Sequence, residues 1–172
     1  VIDVNWLTGA VKFIMFGSAG SLDSGLTTGK FVIPTHSYRE EGLSYHYAPP
    51  ADYIEVKNAK TVKAIFDELK LPNVLGKVWT TDAIYRETKA KFDARKKEGC
   101  IAVEMELAGV QAVCDFWTRN TYVGVPKETA EKEAFQKFFS ELMQLLLEMK
   151  KSGTIFERRI AANMLYTGKV YR

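Results

Sequence analysis

Apolar and polar positions along this chain fall into short blocks whose period switches between two and about 3.6, the periods of strands and helices. "AVKFIMFG" (10–17) is an apolar run ending in glycine and predicts a buried strand. "SAGSLDSGLTTG" follows as a small-residue loop. "KFVIPTHSY" predicts a second strand, in which Pro34 marks an end, a bulge or an edge. "GLSYHYAPPADYIEVKN" carries two short β-like runs broken by Pro49 and Pro50. Asn58 is a candidate cap for a helix over 59–70, where Val62, Ile65, Phe66 and Leu69 form one stripe. "VLGKVWTTDAIY" predicts a strand, and "RETKAKFDARKKEG" a charged helix closed by Gly99. "CIAVEM" is the next strand and "ELAGVQAVCDF" the next helix.

Beyond Phe116 the pattern changes. "WTRNTYVGV" predicts one more short strand, and Pro126 opens a long helix reaching residue 151. Phe135, Phe138, Phe139, Leu142, Leu145, Leu146 and Met149 give that helix a broad apolar stripe. "TIFERRIAANMLYTGKVYR" reads as a last short helix, and the first residues read as the end of one. Strands alternating with helices predict an α/β fold, with a mixed, mostly parallel central sheet flanked by helices. No repeat or linker divides the chain, so 1–172 is expected to be a single domain.

Composition narrows the function classes. At 47% hydrophobic and 26% charged residues the chain matches ordinary globular proteins. A net charge of +3 spread along the sequence gives no basic stripe of the kind that holds nucleic acid. The apolar runs are too short to span a bilayer, and the start does not read as a signal peptide. Cys100 and Cys114 sit in apolar surroundings without metal-ligand spacing, as reduced cysteines of a cytoplasmic protein do. His36 and His46, ten residues apart with no acidic cluster, make a metal site improbable. Arg39 either serves a ligand or pairs with a neighbouring acid, and a structural role is expected.

Four stretches carry a resemblance: "FGSAGSLD", "GKFVIPTHSYREEGLSYHYAPP", "WTTDAIYRE" and "GCIAVEMELAG". In this order and spacing, over 10–116, the chain resembles the nucleoside phosphorylase and nucleosidase superfamily, of the purine and uridine phosphorylase type. "YREEGLSYHYAP" is similar to the uridine branch. The resemblance implies a phosphorylase/hydrolase-like fold, incomplete at the N-terminus, with 117–172 a divergent helical part. It implies a pentosyltransferase that cleaves the N-glycosidic bond of a nucleoside with phosphate. No metal or organic cofactor is expected; the partners are nucleoside and phosphate, and the assembly is a homo-oligomer.

The physics of these stretches agrees with that implication. In "AVEMELAG" two carboxylates interrupt an apolar run where a strand gives way to a helix. Burying them is costly unless they are paired. One carboxylate can accept a hydrogen bond from each hydroxyl of a ribosyl diol, and such charge-assisted bonds are strong. By resemblance Glu106 grips the diol, Met105 packs on the sugar, and Glu104 is a nearby catalytic acid orienting a water or a neighbour. The competing account has Glu106 cap the helix and Glu104 form an ion pair. Peptide N–H groups in a turn such as "FGSAGS" can hold an anion. Resemblance places Ser18 beside phosphate and ribose, with Gly17 and Gly20 allowing close approach. Ile84 and Tyr85 fall where the family lines its base pocket; an ordinary strand-end tyrosine is the alternative for Tyr85.

Two departures qualify the picture. Met15 stands where phosphorolytic relatives carry an arginine, and a thioether is no anion clamp. Purine-cleaving relatives protonate the leaving base from a Ser-Asp pair after the next strand; "TYVGVPKE" stands there without one, and Glu128 is a remote substitute. A nucleosidase using water, a truncated relative that binds ribose without turnover, and an interaction scaffold built on the helix over 126–151 are therefore the competing readings.

Overall fold

The computed structural model describes residues 1–8 and 13–120. A short helix, α1 (Ile2–Thr8), opens the chain. Five strands then form one sheet: β1 (Gly20–Ser21), β2 (Phe31–Glu40), β3 (Tyr53–Glu55), β4 (Asn73–Thr81) and β5 (Cys100–Glu104). Their spatial order is β1-β5-β4-β2-β3. The central strands β2, β4 and β5 run parallel, and β1 and β3 pair antiparallel at the two edges. The sheet is thus mixed with a parallel centre, as the alternation of periods predicts.

Helices cover both faces. A one-turn helix, α2 (Ser24–Thr27), follows β1. Along α3 (Ala59–Glu68), Ala59 and Phe66 are buried against Ile33, with Phe31 and Leu75 packed alongside. Asn58 stands at the start of α3, but its side chain makes no capping bond. The next helix, α4 (Lys89–Lys97), is capped by the Thr88 hydroxyl and ended by Gly99 at φ +90°, a conformation glycine adopts without strain. Its Phe92 packs on the cluster of Trp79, Leu22, Cys100 and Val103. The opposite face, with Val78 and Ala102, is covered by α5 (Leu107–Asn120) through Leu107. Trp79 is wholly buried and Ala108 and Ala112 are fully enclosed, so the core runs through the sheet on both sides.

Two bulges flank β4. On β2 the pairing slips between Pro34 and His36, one of the outcomes expected of Pro34. On β5 it slips beside Ile101, whose side chain fills the space over Gly76. A Cβ at Gly76 would stand 2.3 Å from Ile101 Cδ1.

Three expectations are corrected. Phe13–Gly17 has no regular structure, and Ile14, Met15 and Phe16 are exposed rather than buried in a strand. An apolar run becomes a strand only when a neighbour accepts its backbone hydrogen bonds. Residues 10–12 of that run lie outside the described residues. Second, the first β-like run after Gly42 is a 3-10 turn, Leu43–His46. The Glu41 carboxylate accepts the Ser44 N–H at 2.9 Å and closes the turn. Third, α5 continues through Trp117 to Asn120, where a new strand was expected to begin. The helices expected over 126–151 and after Gly153 lie outside the described residues.

Candidate active site

Parallel strands place their carboxyl ends along one edge, where open α/β sheets bind ligands. Here Glu40 pairs with Thr81 and Thr80 with Glu104, so β2, β4 and β5 finish together. Antiparallel β1 begins at this same edge, with Gly20 opposite Val103. Ser18, two residues upstream, therefore enters beside the end of β5. Ser18, the segment after Thr81 and the Glu104–Met105–Glu106 junction thus lie along one edge of the sheet.

That junction is tightly wired. The Glu104 Oε2 atom accepts the N–H of Glu106 at 2.8 Å and the N–H of Leu107 at 2.7 Å. Its Oε1 atom accepts the hydroxyl of Thr80. Thr80 Oγ1 also receives the Ala108 N–H at 3.2 Å and is hydrogen-bonded to Ser37. Glu104 thus satisfies peptide donors at the start of α5, where a negative charge is favoured. Burial pushes its carboxyl above the ordinary value, against the opposing pull of Thr80 and the two N–H groups. The capping role that sequence alone offered to Glu106 belongs to Glu104.

Glu106 is left exposed, and its carboxylate makes no hydrogen bond or ion pair among the described residues. Met105 beside it is 40% exposed. Two acids separated only by Met105 therefore have opposite surroundings: one is consumed by the fold, the other is offered to solvent.

Ser18 and Gly17 are both exposed. A Cβ on Gly17 would meet nothing within 4 Å, whereas one on Gly20 would lie 2.7 Å from Val103 Cγ1. Gly20 is thus required for close approach of β1 to β5, and Gly17 leaves open space. Ile84 and Tyr85 lie on a second 3-10 turn, Ile84–Arg86, directly after β4. Both side chains project outward, and Tyr85 is 99% exposed.

Arg39 is structural. Its guanidinium is buried and donates to Ser44 Oγ at 2.7 Å and to the carbonyls of Pro49 and Ala51 at 2.7 and 3.3 Å. It also stacks 4.1 Å from the centre of the Tyr45 ring. These bonds hold the loop between β2 and β3. Lys91, the cation next to Glu40, is ion-paired with it. Neither Cys100 nor Cys114 forms a disulfide among the described residues.

The model of a family described as the phosphorylase superfamily matches residues 4–118, two-thirds of the chain. The chain belongs to the phosphorylase superfamily. Among its relatives in this superfamily is an uncharacterised protein of Acanthamoeba polyphaga mimivirus. It is 32% identical over 108 residues, covering 62% of this chain and 41% of the relative. A purine nucleoside phosphorylase of the DeoD type from Vibrio cholerae is 23% identical over 151 residues, covering 81% of this chain and 62% of that enzyme. This phosphorylase-superfamily chain therefore spans less than two thirds of the length of these relatives.

Among solved structures, the AMP nucleosidase of Bacteroides thetaiotaomicron shares the fold at a TM-score of 0.57 and 20% identity, over 66% of this chain and 51% of that one. A futalosine hydrolase mutant of Helicobacter pylori shares it at 0.55 and 23%, over 68% and 56%.

Sequence reasoning found the junction but passed over Ser37, and it offered Thr80, with Thr81 and Asp82, as a cap for the following helix, a role that Thr88 fills. Ser37 and Thr80 are both ordinary strand hydroxyls in the sequence. Their signal lies in the pairing of β4 with β5 and β2, which a single sequence does not display.

Proposed function

We propose that this superfamily member recognises a nucleoside by its ribosyl diol and cleaves the N-glycosidic bond with phosphate. Glu106 carries the reading: an exposed carboxylate without a partner among the described residues, at the carboxyl edge of the sheet, on backbone fixed by Glu104. It would accept one hydrogen bond from each of the two hydroxyls. Met105 packs on the sugar. Ser18 and the peptide N–H groups near Gly17 and Gly20 face the phosphate. Ile84 and Tyr85 offer apolar surface to the base. The resemblance of "YREEGLSYHYAP" to the uridine branch supports a pyrimidine nucleoside as the substrate. The same reading carries a homo-oligomer in the cytoplasm.

The chemistry follows from charge. As the bond from the anomeric carbon to the base nitrogen breaks, positive charge develops on the ribosyl ring. Glu106 beneath the diol stabilises it, with Glu104 adding field from the junction. A hydrogen phosphate oxygen then bonds to the anomeric carbon as the bond to the base nitrogen breaks; the base leaves with the bonding electron pair and takes up the proton that the phosphate gives up.

A second reading replaces phosphate with water. Met15, exposed in the loop before Gly17, favours it because it cannot clamp an anion.

Incubating the full chain with uridine or adenosine, with and without phosphate, and following free base by chromatography separates the two. Phosphate-dependent release supports the first reading, and equal release without phosphate supports the second. If calorimetry shows no nucleoside binding and Glu106→Ala changes nothing, the diol reading fails.

A further inference from the structure

We propose that Thr80, backed by Ser37, is a positioning residue for diol recognition, acting through Glu104 on the backbone of Glu106. The inference rests on the reading that Glu106 binds the diol.

The N–H of Glu106 and the N–H of Leu107 stand on either side of the Glu106 α-carbon. Both converge on one oxygen, Glu104 Oε2, at 2.8 and 2.7 Å. That arrangement fixes both backbone dihedrals of Glu106 and with them the direction in which its side chain leaves. The clamp is only as firm as Glu104 itself, and its other oxygen is held by Thr80.

Thr80 is fully buried. A hydroxyl has one proton and two acceptor sites. An ionised Glu104 can only accept, so the Thr80 proton points to Glu104. Its acceptor sites take the Ala108 N–H and the Ser37 hydroxyl. Ser37, also fully buried, must then donate to Thr80, the nearer of its two acceptors; the other is the Tyr38 carbonyl at 3.4 Å. A directed chain of hydrogen bonds runs from β2 through β4 into the β5–α5 junction, and every donor in it is used. Such a chain is stronger than its separate links, because each bond polarises the next.

Binding a diol by one carboxylate demands placement within about half an ångström. Valine has the shape of threonine without the proton, so Thr80→Val keeps the packing and frees Glu104 on one side.

Calorimetry on the full chain tests the idea, with uridine and adenosine each compared with its 2′,3′-dideoxy counterpart. Thr80→Val is expected to lower the preference for the ribo form about tenfold, less than the roughly hundredfold that a misplacement of about 1 Å can cost. Affinity for the dideoxy form stays unchanged. Thr80→Ser restores the preference, and Ser37→Ala lowers it by a smaller factor. A purely structural Thr80 would lower the thermal midpoint and leave the ratio untouched. A folded Thr80→Val protein that keeps the full preference overturns the proposal. Should that variant not fold, an unchanged preference in Ser37→Ala overturns it equally. If the unmodified chain binds both forms alike, or binds neither, the diol reading itself has failed.

Discussion

The carboxyl edge of the sheet has two unlike halves. At the β5–α5 junction, the polar groups of Ser37, Thr80 and Glu104 are hydrogen-bonded inside the fold. Along the flanking loops, Ile14, Met15, Phe16, Ile84 and Tyr85 stand in solvent. On the proposed reading, the sugar's partner is braced by the fold's own hydrogen bonds. The loops that would meet the base and the anion carry exposed apolar side chains instead. Such a division suits a fold that keeps one grip and varies what surrounds it.

Breaking the wired half should show the largest effect. Glu104→Ala removes the cap of α5 and leaves the Thr80 hydroxyl and two peptide N–H groups without their acceptor. Denaturant titration is expected to show a loss of about 2–4 kcal/mol. Glu106→Ala, two residues on, should leave the unfolding midpoint unchanged while abolishing ribonucleoside binding. If both variants were equally destabilised, the contrast between the two acids would collapse.

The glycines of the loop give a second contrast. Gly20→Ala pushes a methyl group against Val103 and should cost about 1–3 kcal/mol. Gly17→Ala meets open space and should be nearly neutral in the same measurement.

Acidity sharpens the comparison further. Because burial raises the Glu104 carboxyl, the native chain holds that proton more tightly than the unfolded chain. This group's contribution to stability is therefore greatest below the ordinary carboxylate range. It declines as pH rises through the raised value. Unfolding free energies from about pH 4 to pH 8 should show that slope in the native sequence and its loss in Glu104→Gln. A slope of opposite sign would mean that the hydrogen bonds outweigh burial.

The smallest effect on the fold is expected in the open half. Met15→Arg should leave the thermal midpoint unchanged, since Met15 is exposed. It should raise affinity for inorganic phosphate, measured by calorimetry. No gain in phosphate affinity would mean that this loop does not face the anion.

The elements most legible in the sequence were those with local signatures. The stripe of α3, the charged face and glycine stop of α4, and the apolar run of β5 are decided within about ten residues. Phe13–Gly17 failed because strand formation depends on a partner elsewhere in the chain. Leu43–His46 failed because Glu41 and Arg39 supply hydrogen bonds that composition does not reveal. At the site, two acids in an apolar run announced themselves. Their division of labour did not, because it depends on whether Thr80 lies beside Glu104, and pairing across strands is invisible in one sequence.

The two bulges beside β4 have a consequence of phase. Before them, Pro34 pairs with Gly76 and Lys77 with Cys100. Each adds one residue, and side chains alternate along a strand with period two. With an uninterrupted register, Ser37 would fall beside Trp79, and Glu104 beside Thr81, both on the opposite face of the sheet. The single-residue insertions on either side bring Ser37 and Glu104 to the face of Thr80. Removing Thr35 or Ile101 would alter none of the four groups in the chain from Ser37 to Ala108, yet would turn one of its ends to the wrong side. The wiring of Glu104 is set by counting along the strands as much as by the residues themselves.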